Sequence, residues 1–284
     1  MKDKKIVITV DKEIKLIDIL KEKLSDASIK TLKQYFKYDK VYLNSILIHN
    51  SNLVPKVGDT LEVIFKKGNN IELDILYEDD NIVVINKPSG LLSIGNSKEK
   101  EVTAYRYVSD YVKSKDKNNK IFVVHRLDEE TSGVLIFAKS ETVANMYQER
   151  WNDLVSLREY YAIVPCIVKN NGTIKSHLLM NHNQIVYSSK NGEGKLAITN
   201  YEVIKCNNKY SLLRVCIDTG RRNQIRVHMS ENFKPIVGDK KYGSKDNSIN
   251  RLALHASCLV LKDPITSKTF EFIADIPEEF NKLV

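Results

Sequence analysis

The stretch that most constrains this chain is residues 124–139, Val-His-Arg-Leu-Asp-Glu-Glu-Thr-Ser-Gly-Val-Leu-Ile-Phe-Ala-Lys. The short apolar runs at 121–124 and 134–137 have the length and composition of strands packed inside a sheet. Between them lies a polar loop holding Arg126, Asp128, Thr131, Ser132 and Gly133. A carboxylate on a tight loop between buried strands is held rigidly and can be screened from water, which suits a nucleophile or a base. The same loop also reads as an ordinary Asx turn, in which Asp128 bonds nearby backbone N–H groups. The loop alone leaves both readings open.

At 284 residues the chain can bury one good core and a smaller module beside it. Its net charge of +8 favours a polyanionic partner, and the distribution says where. Residues 1–70 hold 14 Lys against 9 acidic residues, so a quarter of the chain carries +5. That segment suits phosphate contacts, although a solvated surface also explains it. Lysine outnumbers arginine 35 to 9, and no arginine precedes Arg106. A chain that uses Lys wherever a point charge suffices keeps Arg where a planar, bidentate fork is useful. Four cysteines (Cys166, Cys206, Cys216, Cys258) lie far apart with no Cys-x-x-Cys pair, so buried free thiols in a reducing compartment are expected. The N-terminus has charge without a following apolar core, and no 18-residue apolar run occurs. The expectation is a cytoplasmic protein that neither is secreted nor spans a membrane.

Along the chain, Ile17, Leu20 and Leu24 recur at helical spacing within 14–24. Ser28 can cap a second helix whose buried stripe is Ile29, Leu32, Tyr35 and Phe36. A hairpin over 41–48 turns at Asn44-Ser45, and a turn at Gly58-Asp59 leads into a strand ending at 65. The polar run at 66–70 reads as an inter-domain connection, which sets domains at 1–67 and 74–284 with a linker at 68–73. Thereafter strands are predicted at 75–77, 82–85, 121–124, 134–137, 160–164, 199–204, 210–217, 253–261 and 269–273. Helices are predicted at 102–113, 140–151 and 223–231, and Lys-, Asn- and Gly-rich loops at 114–120 and 188–195. Many strands, few helices and no βαβ rhythm give an α+β fold with a mostly antiparallel sheet.

The string His125-Arg126-Leu127-Asp128, then Thr131-Ser132-Gly133, an apolar strand and Ala138-Lys139, closely resembles the catalytic motif of RNA pseudouridine synthases of the RluA family. Matching blocks follow in the family's order. They are Arg158-Glu159-Tyr160-Tyr161-Ala162, then the run 219–229 around Gln224-Ile225-Arg226-Val227-His228, then 235–239 with Tyr242-Gly243. Lys87-Pro88-Ser89-Gly90 and the run 251–256 match more weakly, and the likeness spans about residues 10–275. Six of the nine arginines (Arg126, Arg158, Arg221, Arg222, Arg226, Arg251) fall inside these blocks. The two-helix-and-hairpin unit at the N-terminus resembles the RNA-binding domain of ribosomal protein S-four, with a structural cap or dimerisation domain as the plainer reading.

The resemblance implies conversion of uridine to pseudouridine in structured RNA, ribosomal large-subunit RNA before transfer RNA, by a monomer. It assigns Asp128 as the essential carboxylate, Tyr160 as the residue stacked on uracil and able to act as a general base, and Arg226 as the bidentate partner of the aspartate. It gives Leu254 to the pocket floor, Arg126 to the RNA beside a flipped nucleotide, and Arg222 and Gln224 to substrate contacts. In a helix starting near Asn223, Arg222 and Arg226 would share a face at i, i+4. The commonest family form carries Thr-His where this chain carries Arg222-Asn223, which puts substrate choice in question there. No metal and no organic cofactor are implied, and His125, His228 and His255 read as structural rather than as a metal triad. Two other readings stand beside this one. The first is a non-catalytic RNA-binding factor on the same scaffold. The second is a hydrolase using Asp128 and a histidine, for which no Gly-x-Ser-x-Gly or His-Glu-x-x-His signature is present.

Overall fold

A computed structural model describes residues 4–24, 27, 29–37, 41–65, 73–97 and 99–284. The chain divides into two compact units, residues 1–71 and 72–284. Residues 68–72 of the expected linker, and the expected cap Ser28, lie outside the described residues.

The first unit runs β1 (Lys4–Thr9), α1 (Leu16–Lys23), α2 (Ile29–Lys37), β2 (Val41–Leu43), β3 (Ile46–Leu47) and β4 (Thr60–Phe65). Its four strands lie in the order β1-β4-β2-β3. Leu16, Leu20, Leu32 and Phe36 from the helices meet Ile8, Val41, Leu61 and Val63 from the sheet in one small core. The turn between β2 and β3 needs two left-handed residues, and Asn44 and Ser45 supply them with φ of 48° and 67°. The Asn44 amide then donates to Asp59 at 2.8 Å and accepts from the Thr60 N–H at 2.8 Å, tying the hairpin to the start of β4. Two features differ from the sequence expectation. Ile29 is 48% exposed, so the buried stripe of α2 begins one turn later at Leu32. The charged N-terminus forms β1, which pairs with β4 from Lys4↔Phe65 to Thr9↔Thr60 and buries Ile8. Its β-branched run Ile6-Val7-Ile8-Thr9 is a strand signal, short and preceded by the lysines.

The second unit runs β5 (Asp74–Glu78), β6 (Ile82–Lys87), α3 (Ala104–Lys115), β7 (Phe122–Val123), β8 (Ser132–Ala138), α4 (Glu141–Glu149), α5 (Trp151–Leu154) and β9 (Val155–Val164). It continues with β10 (Gly172–Met180), β11 (Val186–Ser188), β12 (Lys195–Cys206), β13 (Ser211–Ile217) and α6 (Gln224–Asn232). Then come a 3-10 turn at Lys240–Tyr242, β14 (Leu254–Lys262), β15 (Thr269–Ile273) and α7 (Glu278–Leu283). One sheet in the order β11-β10-β12-β13-β9-β14-β8-β6-β5 spans it, with β15 attached to β14 and β7 to β8. Every pairing is antiparallel except β14 with β8, where His255↔Ser132 and Ala256↔Gly133 run parallel. The architecture is therefore α+β with a mostly antiparallel sheet. β10 and β11 were not anticipated, because β10 alternates Thr173, Lys175 and His177 with its apolar positions and reads as polar. The helix predicted over 140–151 breaks at Arg150, whose φ of −112° and ψ of 22° end α4 and start α5.

The β8–β14 seam separates two cores. On one side Ala162, Leu213, Val215 and Leu254 pack under Ile225 and Met229 of α6. On the other Ile82, Val84, Ile136 and Leu261 pack under Val143 and Tyr147 of α4 and Leu154 of α5. The strands approach closely here: a Cβ on Gly133, whose φ is +112°, would stand 2.0 Å from the carbonyl oxygen of Ala256. Only glycine fits, which explains the Ser-Gly that ends the loop. All four cysteines are free, but only Cys258 is buried and Cys206 is exposed, against the expectation of buried thiols. No helix among the described residues is long and apolar enough to cross a membrane.

Candidate active site

The loop before β8 emerges at that seam with Asp128 on it. Its backbone is pinned by the Lys87-Pro88-Ser89-Gly90 block. Lys87 is fully buried and its ammonium donates to the carbonyls of Pro88 (3.0 Å), Leu91 (2.7 Å) and Glu129 (3.0 Å). The Gly90 N–H also donates to the Glu129 carbonyl at 2.9 Å, and the Ser89 hydroxyl to that of Glu130 at 2.6 Å. Ser93 holds both backbone groups of Leu127, accepting its N–H at 3.0 Å and donating to its carbonyl at 2.7 Å. Burial pulls the Lys87 ammonium down to about 7, with Asp128 and Glu129 acting to raise it and Arg251 to lower it. A weak sequence match thus marks the clamp that fixes the Asp128 backbone.

Asp128 is neither an Asx-turn residue nor tightly salt-bridged. Its side chain is 32% exposed, and Oδ2 accepts from Nδ2 of Asn223 at 2.9 Å. Nη1 of Arg226 stands 3.9 Å from the same oxygen. The expected bidentate pair exists, but on another carboxylate. Arg226 donates through Nε to Asp239 Oδ2 at 2.8 Å and through Nη2 to Asp239 Oδ1 at 2.6 Å, and Nη2 also meets Glu130 at 2.6 Å. Arg226 and Asp239 are both buried, so this is a desolvated, doubly bonded pair. Burial disfavours the guanidinium charge, yet Asp239, Glu130 and Asp128 more than reverse this and hold it above its usual value. Gly238 makes the approach of the Asp239 segment possible, since with φ +77° a Cβ there would lie 1.9 Å from the Arg251 carbonyl oxygen.

The remaining expected residues divide. Tyr160, Leu254, Arg126, Arg222 and Gln224 all line one cavity of about 310 Å³ with Asp128 and Arg226. Burial pushes the Tyr160 phenol up to about 12, with Arg158 pulling down and Asp128 pushing up, so it is protonated at neutral pH. Leu254 is buried at the end of β14, one strand from Tyr160. Arg126 is exposed, and among the described residues no hydrogen bond or ion pair engages it. Two expectations need correction. α6 begins at Gln224, so Arg222 lies before it, exposed, on Gln184 at 3.2 Å and Met180 at 3.5 Å, and shares no helix face with Arg226. The Gln224 amide is fully committed within the protein. It accepts from Thr219 (2.8 Å) and the Arg221 N–H (3.0 Å) and donates to Ile198 (2.9 Å) and Thr199 (3.0 Å). That exhausts an amide's capacity, so Gln224 forms wall rather than a polar contact to substrate.

The three motif histidines sit apart. His255 bonds Ser132 (2.8 Å) and the Ala274 carbonyl (3.1 Å), and His228 bonds Ser176 (3.0 Å) and Thr199 (2.8 Å). His125 packs tilted against Trp151 with ring centroids 4.9 Å apart, and burial lowers it to about 3. Among the described residues no group of three or more His, Cys, Asp or Glu is placed to hold a metal. Three residues of the site carried no functional signal in the sequence. Asp239 and Lys241 were only parts of a matched block or its gap, and Asn223 stood out only as a departure from the commonest motif. Asn223 meets Asp128 across 95 residues of chain, while Asp239 reaches Arg226 across 13 and Lys241 reaches Asn223 across 18.

The RNA pseudouridylate synthase family matches residues 81–231, which contain Asp128, Tyr160 and Arg226. The ribosomal large subunit pseudouridine synthase D of Borreliella burgdorferi is 31% identical, with 89% of this chain and 76% of that protein covered. The protein of the same name from Haemophilus influenzae is 29% identical, covering 95% of this chain and 90% of its own length. Among solved structures, human RNA pseudouridylate synthase domain containing 4 superposes with a TM-score of 0.58 at 25% identity, over 73% of this chain and 90% of that one. A family match over more than half of the chain, joined to relatives aligned over most of it, makes this protein a member of the RNA pseudouridylate synthase family, an isomerase that acts on RNA.

Proposed function

We propose that this chain forms pseudouridine in structured large-subunit ribosomal RNA, with Asp128 as the essential carboxylate. The reaction frees uracil from ribose, turns it, and rejoins it through carbon instead of nitrogen. It therefore needs a carboxylate held near a cation, a group to take the proton from the new ring carbon, and an apolar wall for the ring. The observation that carries the reading is the setting of Asp128: a rigid backbone, a half-exposed carboxylate, and a buried guanidinium 3.9 Å away that is neutralised from behind. Such a cation orients the carboxylate without closing it off.

In this reading Tyr160 packs against the uracil, and Leu254 supports it from below. Because the phenol is protonated, a base role at Tyr160 requires it to pass on its own proton as it takes another. Arg126, exposed and without a partner among the described residues, fills the stack left by the flipped nucleotide, and Arg222 meets the neighbouring backbone. The lysine-rich first unit, read as an S-four-like module, grips an adjacent RNA helix. Ribosomal rather than transfer RNA is supported by the names of the bacterial relatives. The enzyme works as a cytoplasmic monomer without metal or organic cofactor, since the isomerisation moves no electrons to an outside acceptor.

The test is Asp128→Asn, followed by release of tritium from RNA labelled at uridine C5. No product under single-turnover conditions, with RNA affinity kept within a few-fold, is the expected result. Product formation by the variant would move the chemistry elsewhere, and an inactive wild type would favour a non-catalytic RNA-binding factor.

A further inference from the structure

We propose that Asn223 and Lys241 act as a positioning pair for Asp128, the lysine fixing which way the Asn223 amide faces and the amide fixing the carboxylate. The inference rests on the reading of Asp128 as the essential carboxylate. Asn223 is buried just before α6 with φ +54°, a left-handed conformation that asparagine tolerates better than most residues. Its Nδ2 donates to Asp128 Oδ2 at 2.9 Å, and its Oδ1 accepts from the Lys241 ammonium at 3.0 Å.

An amide between a carboxylate and an ammonium has one good orientation. Turned over, it would place its oxygen against the carboxylate and its NH₂ against a group that can only donate. Lys241 therefore removes the wrong rotamer. It sits half-buried on the 3-10 turn that follows Asp239, so the segment that anchors Arg226 also carries the group that orients Asn223. Burial lowers the Lys241 ammonium, the cations Arg222 and Arg226 add to this, and Asp128 opposes it. With Oδ2 taken by Asn223, Oδ1 of Asp128 accepts no hydrogen bond among the described residues and is the oxygen left for substrate. One carboxylate oxygen is thus used for aim and the other for chemistry.

The test compares single-turnover rate and RNA dissociation constant across a small set of variants, each first checked for an unchanged melting temperature. Asn223→Gly removes the amide without straining φ and is expected to slow the rate about tenfold or more, the scale of a charge-assisted hydrogen bond, while leaving RNA affinity unchanged. Asn223→Asp keeps the Lys241 contact but sets a second carboxylate against the first, and should be slower than Asn223→Gly. Lys241→Met should slow the rate by about three- to tenfold. Lys241→Arg should restore most of that loss. The double variant Asn223→Gly with Lys241→Met should be no slower than Asn223→Gly alone, since the lysine acts only through the amide.

A wild-type rate in Asn223→Gly, losses that multiply in the double variant, or an effect confined to RNA affinity would overturn the pair. Asp128→Asn run alongside separates the two levels. If it turns over, the role of Asp128 fails; if it is dead while Asn223→Gly is normal, only the positioning pair fails.

Discussion

Two loops converge on the Arg226 guanidinium and treat their carboxylates in opposite ways. Asp239 is fully buried and takes two hydrogen bonds from Arg226, at 2.8 and 2.6 Å, with the backbone N–H of Tyr242 on the same carboxylate at 3.2 Å. Asp128 is 32% exposed, takes one amide hydrogen bond, and meets the guanidinium only at 3.9 Å. Saturated and desolvated, the first can do little except hold Arg226 in place. The second keeps an oxygen free beside a cation bonded on its other side to Asp239. A doubly hydrogen-bonded ion pair and a looser one share a single arginine, and the difference lies in how completely each carboxylate is satisfied.

The largest expected effect breaks the two carboxylates apart. Asp128→Asn should remove activity while changing stability by no more than about 0.5 kcal/mol, because a half-exposed side chain with one hydrogen bond contributes little to the fold. Asp239→Asn should do the reverse first. It leaves a buried guanidinium short of charge and should cost about 3–5 kcal/mol, read by urea denaturation. A stable but inactive Asp239 variant, paired with an unstable Asp128 variant, would exchange the two roles.

How much of this was legible in the sequence differs between the same two loops. The Asp128 loop announces itself because two apolar runs flank it and Gly133 marks a close approach, although the groups that pin it, Lys87, Ser89 and Ser93, come from a distant segment. Most strands of the second unit, β10 and β11 excepted, and the α+β class followed from apolar runs and the absence of a βαβ rhythm. What stayed hidden depends on how side chains pack rather than on distance along the chain. The pairing of Arg226 with Asp239 instead of Asp128, and the closure of the Gln224 amide by Thr219, Arg221, Ile198 and Thr199, come from chain segments whose meeting no spacing rule encodes. β10 and β1 were missed for a different reason. Their outer faces carry lysines, so only half of each strand is apolar and the runs fall below the length that marks a buried strand.

Tyr160→Phe sharpens the comparison on the substrate side. The ring is retained, so the wall of the cavity survives and RNA affinity should hold. Loss of the phenol should lower the single-turnover rate about a hundredfold, the scale of a positioned proton-transfer group. A normal rate would confine Tyr160 to packing and leave the proton to another group.

Removing residues 1–71 asks whether the chemistry belongs to the second unit alone. Both carboxylates, Arg226 and Asn223 lie in that unit, which has its own two cores. The shortened protein should fold, keep its single-turnover rate at saturating RNA, and show a raised KM with a shallower dependence of affinity on salt. Unchanged affinity for structured RNA would exclude the lysine-rich unit as a grip.

The smallest effect concerns a third carboxylate, Glu78, which belongs with Asp239 rather than Asp128. Burial raises it, but hydrogen bonds from Lys115 (2.7 Å), Lys139 (2.8 Å) and Tyr111 (2.7 Å) outweigh this and bring it down to about 2. It joins β5 to α3 and to the residue after β8, and does not line the cavity that holds Asp128. A carboxylate depressed in the folded state binds its proton more readily when unfolded, so its stabilisation is complete above its ordinary value of 4.5 and fades as pH falls towards 2. The stability gap between wild type and Glu78→Gln should therefore be widest at neutral pH and close in acid, with the single-turnover rate at neutral pH unaltered. A gap that is the same in urea titrations at neutral pH and near the acid end would mean that Glu78 holds its neighbours by shape and not by charge. The opposite pattern, a loss of rate without a loss of stability, would place it with Asp128 and undo the division between carboxylates closed off by hydrogen bonds and the one that keeps an oxygen free.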